Sequence, residues 1–154
     1  MANPESQISR VTVTLRRRLF KASSFEAFVE ENAELLSPLQ LCGYLAELRR
    51  KSGLSIGQIV LRCNIDRTYL HQILNGTRNP SRDKVIQLAF GFGLDDDEAQ
   101  ELLKAAQMNP LYPRIVRDAA ILRCLHDRKR FDETQALLGR MGLTQLDGEE
   151  KRHG

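Results

Sequence analysis

Arg67, Thr68, His71, Gln72 and Asn75 are the residues of this chain whose types and spacing could do chemistry. At 100° per residue they share one arc of a helix, and each side chain donates or accepts hydrogen bonds. This is the chemistry of recognition, since no nucleophile, base and orienting group come together here. A polar helix face of this width fits the major groove of double-stranded DNA, where base edges present distinguishable donor and acceptor patterns. The opposite arc is Tyr69, Leu70 and Ile73, so the helix must rest on a core. Asp66 stands where an N-cap is needed, and Asn75-Gly76 closes the helix.

The flanking elements position that face. Ser55 followed by Gln58 is a capping box, and Ile56, Ile59, Val60 and Cys63 then fall at the i, i+3, i+4, i+7 spacing of one buried side. That first helix is a support. Asn64 ends it, and asparagine is the non-glycine residue that best tolerates a left-handed C-terminal conformation. After the second helix comes the basic loop Thr77-Arg78-Asn79, and Ser81 opens a further helix with Arg82 and Lys84 in its first turn. Thr77, Arg78, Arg82 and Lys84 are the candidates for gripping a phosphate backbone. A surface salt bridge is the other reading of Arg82 and its neighbours.

The stretch from Leu54 to Ser81 resembles the helix-turn-helix of the lambda-repressor-like family, of the Cro and phage-repressor (xenobiotic-response-element) type. Leu54, Ser55, Ile59, Ile65, Arg67, Tyr69, Ile73, Asn75, Gly76, Arg78, Asn79, Pro80 and Ser81 carry the resemblance without a gap. It departs at Ile56, where the family has a phosphate-touching glutamine, at Val60, where a small alanine lets two helices approach, and at Asn64, where the family has glycine. The resemblance implies gene control. The run from Asp95 to Leu125 is similar to the tail of a bacterial subfamily in which a helical extension follows the DNA-binding domain.

Charge points the same way. From Pro38 to Leu94 there are eight Lys or Arg against three acids, whereas residues 1–37 balance and residues 95–154 are slightly acidic. Such a stripe attracts phosphates regardless of sequence, and base contacts then specify. With 42% apolar residues, no apolar run long enough for a membrane span and no signal-peptide pattern at MANPESQISR, a cytoplasmic protein is expected, associated with the nucleoid when bound. Cys42, Cys63 and Cys124 are far apart and lack a C-x-x-C, so they read as reduced, packed residues, and no metal or cofactor is expected. Asp95, Asp96, Asp97 and Glu98 lack the glycine turn of a calcium loop and fit a helix N-terminus instead. Gly91 and Gly93 are not followed by the Lys and Ser or Thr of a phosphate loop, and His126 beside Cys124 has no third group. An enzyme is not expected.

The whole chain reads as all-α. Ser23 with Glu26 is expected to cap a helix through Leu36, and Ser37-Pro38 with Gln40 the next, burying Leu41, Tyr44, Leu45 and Leu48. Further helices bury Val85, Leu88, Ala89 and Phe92, then Ala99, Leu102, Leu103 and Ala106. The expected organisation is an N-terminal arm and helix (1–37), a five-helix lambda-repressor-like DNA-binding domain (38–108), a two-helix extension (109–146) and a disordered tail (147–154). Residues 10–22 are open between strand, helix and arm: Val11, Val13 and Leu15 alternate with threonines, and Arg16, Arg17 and Arg18 form either a basic arm reaching DNA or a solvated charged turn. Beyond the Pro110 and Pro113 elbow, a helix from about Arg114 to Asp127 is apolar around its axis and must be covered on more than one side, and a shorter helix runs from Glu133 to Met141.

The combined expectation is a homodimeric, sequence-specific transcriptional regulator, a repressor, reading the major groove with helix 67–75, its half-sites about 34 to 36 Å apart. The rival expectation is an antitoxin-like or adaptor protein whose C-terminal helices dock a protein partner.

Overall fold

The computed structural model describes residues 4–36 and 41–146, and all of its regular elements are helices. They fall into two compact units, Met1–Pro38 and Leu39–Gly154. The expected cap at Ser37-Pro38 and Gln40, and the tail 147–154, lie outside the described residues.

In the first unit, α1 is Pro4–Lys21, α2 Phe25–Glu31 and α3 Ala33–Leu36. Helix is therefore the alternative realised from residue 10 to Lys21, and Arg16 to Arg18 stand on its last turns instead of on an extended arm. The valine and threonine alternation misleads because β-branched residues are only mildly unfavourable in helices. The cap of α2 is Ser24, whose hydroxyl accepts from Ala27 N at 3.1 Å, not Ser23 as expected. The single helix expected through Leu36 breaks at Asn32, whose side-chain amide donates to Phe28 O at 2.8 Å while its oxygen accepts from Arg18 at 3.0 Å.

The second unit contains α4 (Leu41–Ser52), α5 (Ile56–Cys63), α6 (Arg67–Leu74), α7 (Arg82–Gly91), α8 (Asp96–Ala105), α9 (Val116–His126) and α10 (Phe131–Arg140). One continuous apolar core runs through it from Leu45 to Leu146. Its axis is α7, in which every residue from Lys84 to Gly91 is buried. Helix α5 crosses α7 at Gly91, where an added Cβ would lie 3.0 Å from both the Cys63 Cβ and the Ile59 Cγ2. The small residue that permits this approach is thus on α7. Gly91→Ala is expected to cost about 1–2 kcal/mol net in urea unfolding, because overpacking of a filled core outweighs alanine's better helix propensity.

The helices after the elbow begin later and earlier than expected, at Val116 and Phe131. The second shift arises because Glu133 reaches back to the Arg130 N–H at 3.0 Å, a cap that arginine itself does not signal. The exposed side of α9 carries Arg123, His126 and Asp127, while Ile121, Cys124 and Leu125 enter the common core and α8 and α10 pack against it.

The α9–α10 hairpin repeats the α7–α8 hairpin at a spacing of 35 residues. Arg82-Asp83 corresponds to Arg117-Asp118, Ile86 to Ile121, Asp97-Glu98 to Asp132-Glu133, Gln100 to Gln135, Leu102-Leu103 to Leu137-Leu138 and Leu111 to Leu146. The hydrogen bonds repeat as well. Arg82 donates to Asn109 O (3.0 Å) and Pro110 O (2.8 Å), and Arg117 donates to Thr144 O (2.7 Å) and Gln145 O (3.4 Å). Leu111 N donates to the Gln100 side-chain oxygen at 2.8 Å, and Leu146 N to that of Gln135 at 2.8 Å. The left-handed residues closing the helices match too, Gly93 with Arg128 and Gln107 with Gly142. Each arginine ties the loop that ends its own hairpin, then reaches the other copy: Arg82 to Asp118 at 2.9 Å, Arg117 to Asp83 at 2.8 Å. Stacked repeats of this kind bury a face that one hairpin leaves bare.

Candidate nucleic-acid interface

The α5–turn–α6 segment is fixed by local caps. The Ser55 hydroxyl accepts from Gln58 N (3.2 Å) and the Gln58 side chain accepts from Ser55 N (2.8 Å), so the expected capping box forms. Asn64 ends α5 with φ 54°, the left-handed cap anticipated from its residue type. The buried Gln87 amide on α7 donates to Cys63 O at 3.0 Å, satisfying a terminal carbonyl of α5. Ile65 then plugs into the core, and the Asp66 carboxylate accepts from Tyr69 N at 3.2 Å. Asp66 is therefore occupied as a cap.

Leu70 and Ile73 seat α6 on the core. On the other side Arg67, Thr68, His71 and Asn75 are exposed and Gln72 is half-buried, so the five predicted residues occupy one open face. Arg67 extends toward α5, its guanidinium passing Gly57, where an added Cβ would lie 3.5 Å away. Asn75 also organises the loop: its side-chain oxygen accepts from Thr77 N (3.0 Å) and the Thr77 hydroxyl (2.7 Å). Gly76 follows with φ 82°, a conformation that side chains other than glycine's rarely permit.

The backbone-gripping candidates separate. Thr77 and Arg78 are exposed at the end of α6, and the Arg78 guanidinium stacks 5.0 Å from the centre of the Tyr69 ring. Lys84 is buried with its ammonium 5.9 Å from the same ring, and Arg82 is held by Asn109, Pro110 and Asp118. Lys84 is thus buried, and Arg82 is half-buried in the ion-paired arrangement that was its other reading. Tyr69 was visible in the sequence only as an apolar side chain. It is also the platform that orders Arg78, a contact of about 0.5–1 kcal/mol at an exposed site. Exposed Arg49, Lys51 and Arg62 add positive charge to α4 and α5.

Among the described residues, the surface carboxylates that sit below their ordinary pKa are Glu47, Asp127 and Asp132, through hydrogen bonds from Arg50, Arg123 and Arg130. None belongs to α6. Cys63 and Cys124 are buried and Cys42 is half-buried. Among the described residues no cluster of metal-ligating side chains occurs, and no helix is long and apolar enough to cross a membrane.

Residues 40–102 match the family model of a helix-turn-helix domain. The match spans α4 to the last turns of α8, takes in the whole α5–α6 segment, and stops before the second hairpin. No curated protein and no solved structure matches the chain. The segment is thus a helix-turn-helix domain, with its second helix presenting hydrogen-bonding side chains to the exterior.

Proposed function

We propose that this protein is a sequence-specific, double-stranded-DNA-binding transcriptional regulator of the lambda-repressor-like kind, a cytoplasmic bacterial repressor acting as a homodimer. The observation that carries the reading is the open face of α6, capped by the Asp66 side chain at its N-terminus and by the Asn75 backbone N–H at its C-terminus, inside a segment that matches a helix-turn-helix domain. Arg67, Thr68, His71, Gln72 and Asn75 read base edges or adjoining phosphates, and Thr77 and Arg78 hold the backbone. Helix 67–75 enters the major groove, and the stacking of Arg78 on Tyr69 keeps its guanidinium extended for a phosphate.

Fluorescence anisotropy on the upstream region of its own gene and on a scrambled duplex, across a salt series, tests this. The native region is expected to bind more tightly by about a hundredfold or more. His71→Ala and Gln72→Ala each reduce that preference by roughly 5- to 100-fold, whereas Arg78→Ala weakens both duplexes alike and lowers the log–log salt slope by about one. Weak binding with no preference would reject the reading and favour the rival, a docking protein. Leu61 on α5, 86% exposed, and Tyr112, Ile115 and Val116 before and at the start of α9 would then be its contact surface.

A further inference from the structure

We propose that the cleft between α1 and α2 is a binding site for a small anion of the sugar-phosphate class. Thr14, Arg17, Arg18 and Lys21 fall at i, i+3, i+4 and i+7 on one face of α1 and line a cavity of about 560 Å³. Glu31 and Asn32, at the end of α2, complete its polar lining. Asn32 is 5% exposed, its amide donating to Phe28 O at 2.8 Å while its oxygen accepts from Arg18 at 3.0 Å. Arg18 is thereby set in place before any ligand arrives, which lowers the ordering cost of binding. Arg17 and Lys21 enter no ion pair among the described residues, although Glu31 lines the same cavity. A helix C-terminus by itself favours cations such as Arg18 and Lys21. It does not account for a cleft that these cations share with a carboxylate and a buried amide.

The lining selects the ligand. Three cations against one carboxylate leave a net charge of +2, which a phosphate monoester neutralises near pH 7. Two guanidinium forks and an ammonium are donors suited to its three terminal oxygens. One phosphate fills only a small part of this cavity, whose size falls in the range of small-molecule pockets, so the ligand has a body as well. No aromatic side chain lines the cavity among the described residues, which leaves nothing for a base to stack on. The ionised Glu31 carboxylate only accepts hydrogen bonds, and sugar hydroxyls are the donors it lacks. The stems of Arg17 and Lys21 offer C–H surface to a sugar ring. Duplex DNA suits the cleft less well, because its phosphates are singly charged diesters and its deoxyriboses bring no free hydroxyl to Glu31.

The site lies within the first unit and does not involve α6, so its test stands whether or not the chain binds DNA. Isothermal titration calorimetry of the full chain at low salt compares glucose 6-phosphate, inorganic phosphate and glucose. Glucose 6-phosphate is expected to bind with a Kd below about 1 mM, inorganic phosphate at least about tenfold more weakly, and glucose without detectable heat. Arg17→Gln and Lys21→Gln, both at exposed positions, each weaken glucose 6-phosphate by at least about fivefold while helical circular dichroism stays that of the wild type. Glu31→Ala removes a hydroxyl acceptor and a charge that repels phosphate, so the preference for glucose 6-phosphate over inorganic phosphate falls by at least about fivefold, a split that loss of folding does not produce. No binding of glucose 6-phosphate at about 10 mM overturns the proposal. So does equal affinity for glucose 6-phosphate and inorganic phosphate, or an affinity unchanged in the Arg17 and Lys21 variants. Absent sugar-phosphate binding, together with a lower salt slope for a scrambled duplex in Arg17→Gln with Lys21→Gln, overturns it in favour of the DNA backbone.

Discussion

Ending the chain after Met108 is expected to remove the cooperative folding of the helix-turn-helix domain, even though the family match stops at residue 102. The deleted hairpin is not an appendage in physical terms. Leu111 is buried in the core and bridged at both its N–H and its C=O to the Gln100 amide, at 2.8 Å each. Phe131 stacks edge-on against Phe90 of α7 with ring centres 6.1 Å apart. Without α9 and α10, Phe90 loses its aromatic partner, Arg82 loses its three acceptors and Gln100 loses both of its bonds. A large apolar truncation costs about 2–5 kcal/mol and each lost hydrogen bond about 0.5–1.5, so the sum reaches on the order of 5 kcal/mol. That is a large share of the 5–15 kcal/mol by which a typical domain is stable. Urea unfolding of residues 39–108 and of 39–146, followed by circular dichroism, decides the matter. Equal midpoints would show that the first hairpin needs no second copy.

The α5–α6 segment was legible in the sequence because everything that defines it is local. Ser55 and Gln58, Asn64, Asp66, Asn75-Gly76 and Ser81 act on backbone groups two or three residues away, and each forms the cap or turn its type implies. The arc of α6 follows from the same locality, since helical phase fixes which residues are opposite Leu70 and Ile73. What the sequence left open depended on distant partners. Arg82 carries no sign in its neighbourhood that Asp118, far along the chain, will take its guanidinium. Lys84 sits in a first turn that elsewhere would be solvated, and nothing near it in sequence signals that Tyr69 lies over it, its ring centre 5.9 Å from the ammonium. Helix α9 is covered on more than one side, as expected, by α8 and α10, and burial is more complete still on α7, which lies between α5 and α8. One long-range signal was present and could have been read: comparison of the chain with itself at an offset of 35 aligns Arg-Asp with Arg-Asp, Gln with Gln and Leu-Leu with Leu-Leu. Residue identities alone thus mark 109–146 as completing a second hairpin built like the first.

Asp118→Ala is expected to cost about 3 kcal/mol of unfolding free energy, the low end for breaking a buried ion pair, because the Arg82 left behind is still 28% exposed and partly hydrated. The Asp118 carboxylate accepts from Arg82 at 2.9 and 3.3 Å and from Tyr112 N at 3.0 Å, so its loss also strands the elbow's amide. The matching pair, Asp83 with Arg117, is more open on the carboxylate side, and Asp83→Ala is expected to cost about 1 kcal/mol, as partly exposed pairs do. Replacing both members of the buried pair, Asp118→Leu with Arg82→Met, is expected to recover most of the loss, since two apolar side chains of similar length leave no uncompensated charge. The same residues separate structure from recognition. Arg82→Ala lowers stability and leaves the salt slope of DNA binding unchanged, while Arg78→Ala lowers the slope by about one and leaves stability nearly untouched. A slope that fell with Arg82→Ala would return that residue to the phosphate backbone and make the bond to Asp118 a resting position of a mobile side chain. An unchanged slope makes Arg82 what its counterpart Arg117 is in the second hairpin, the residue that ties a closing loop and joins the two copies.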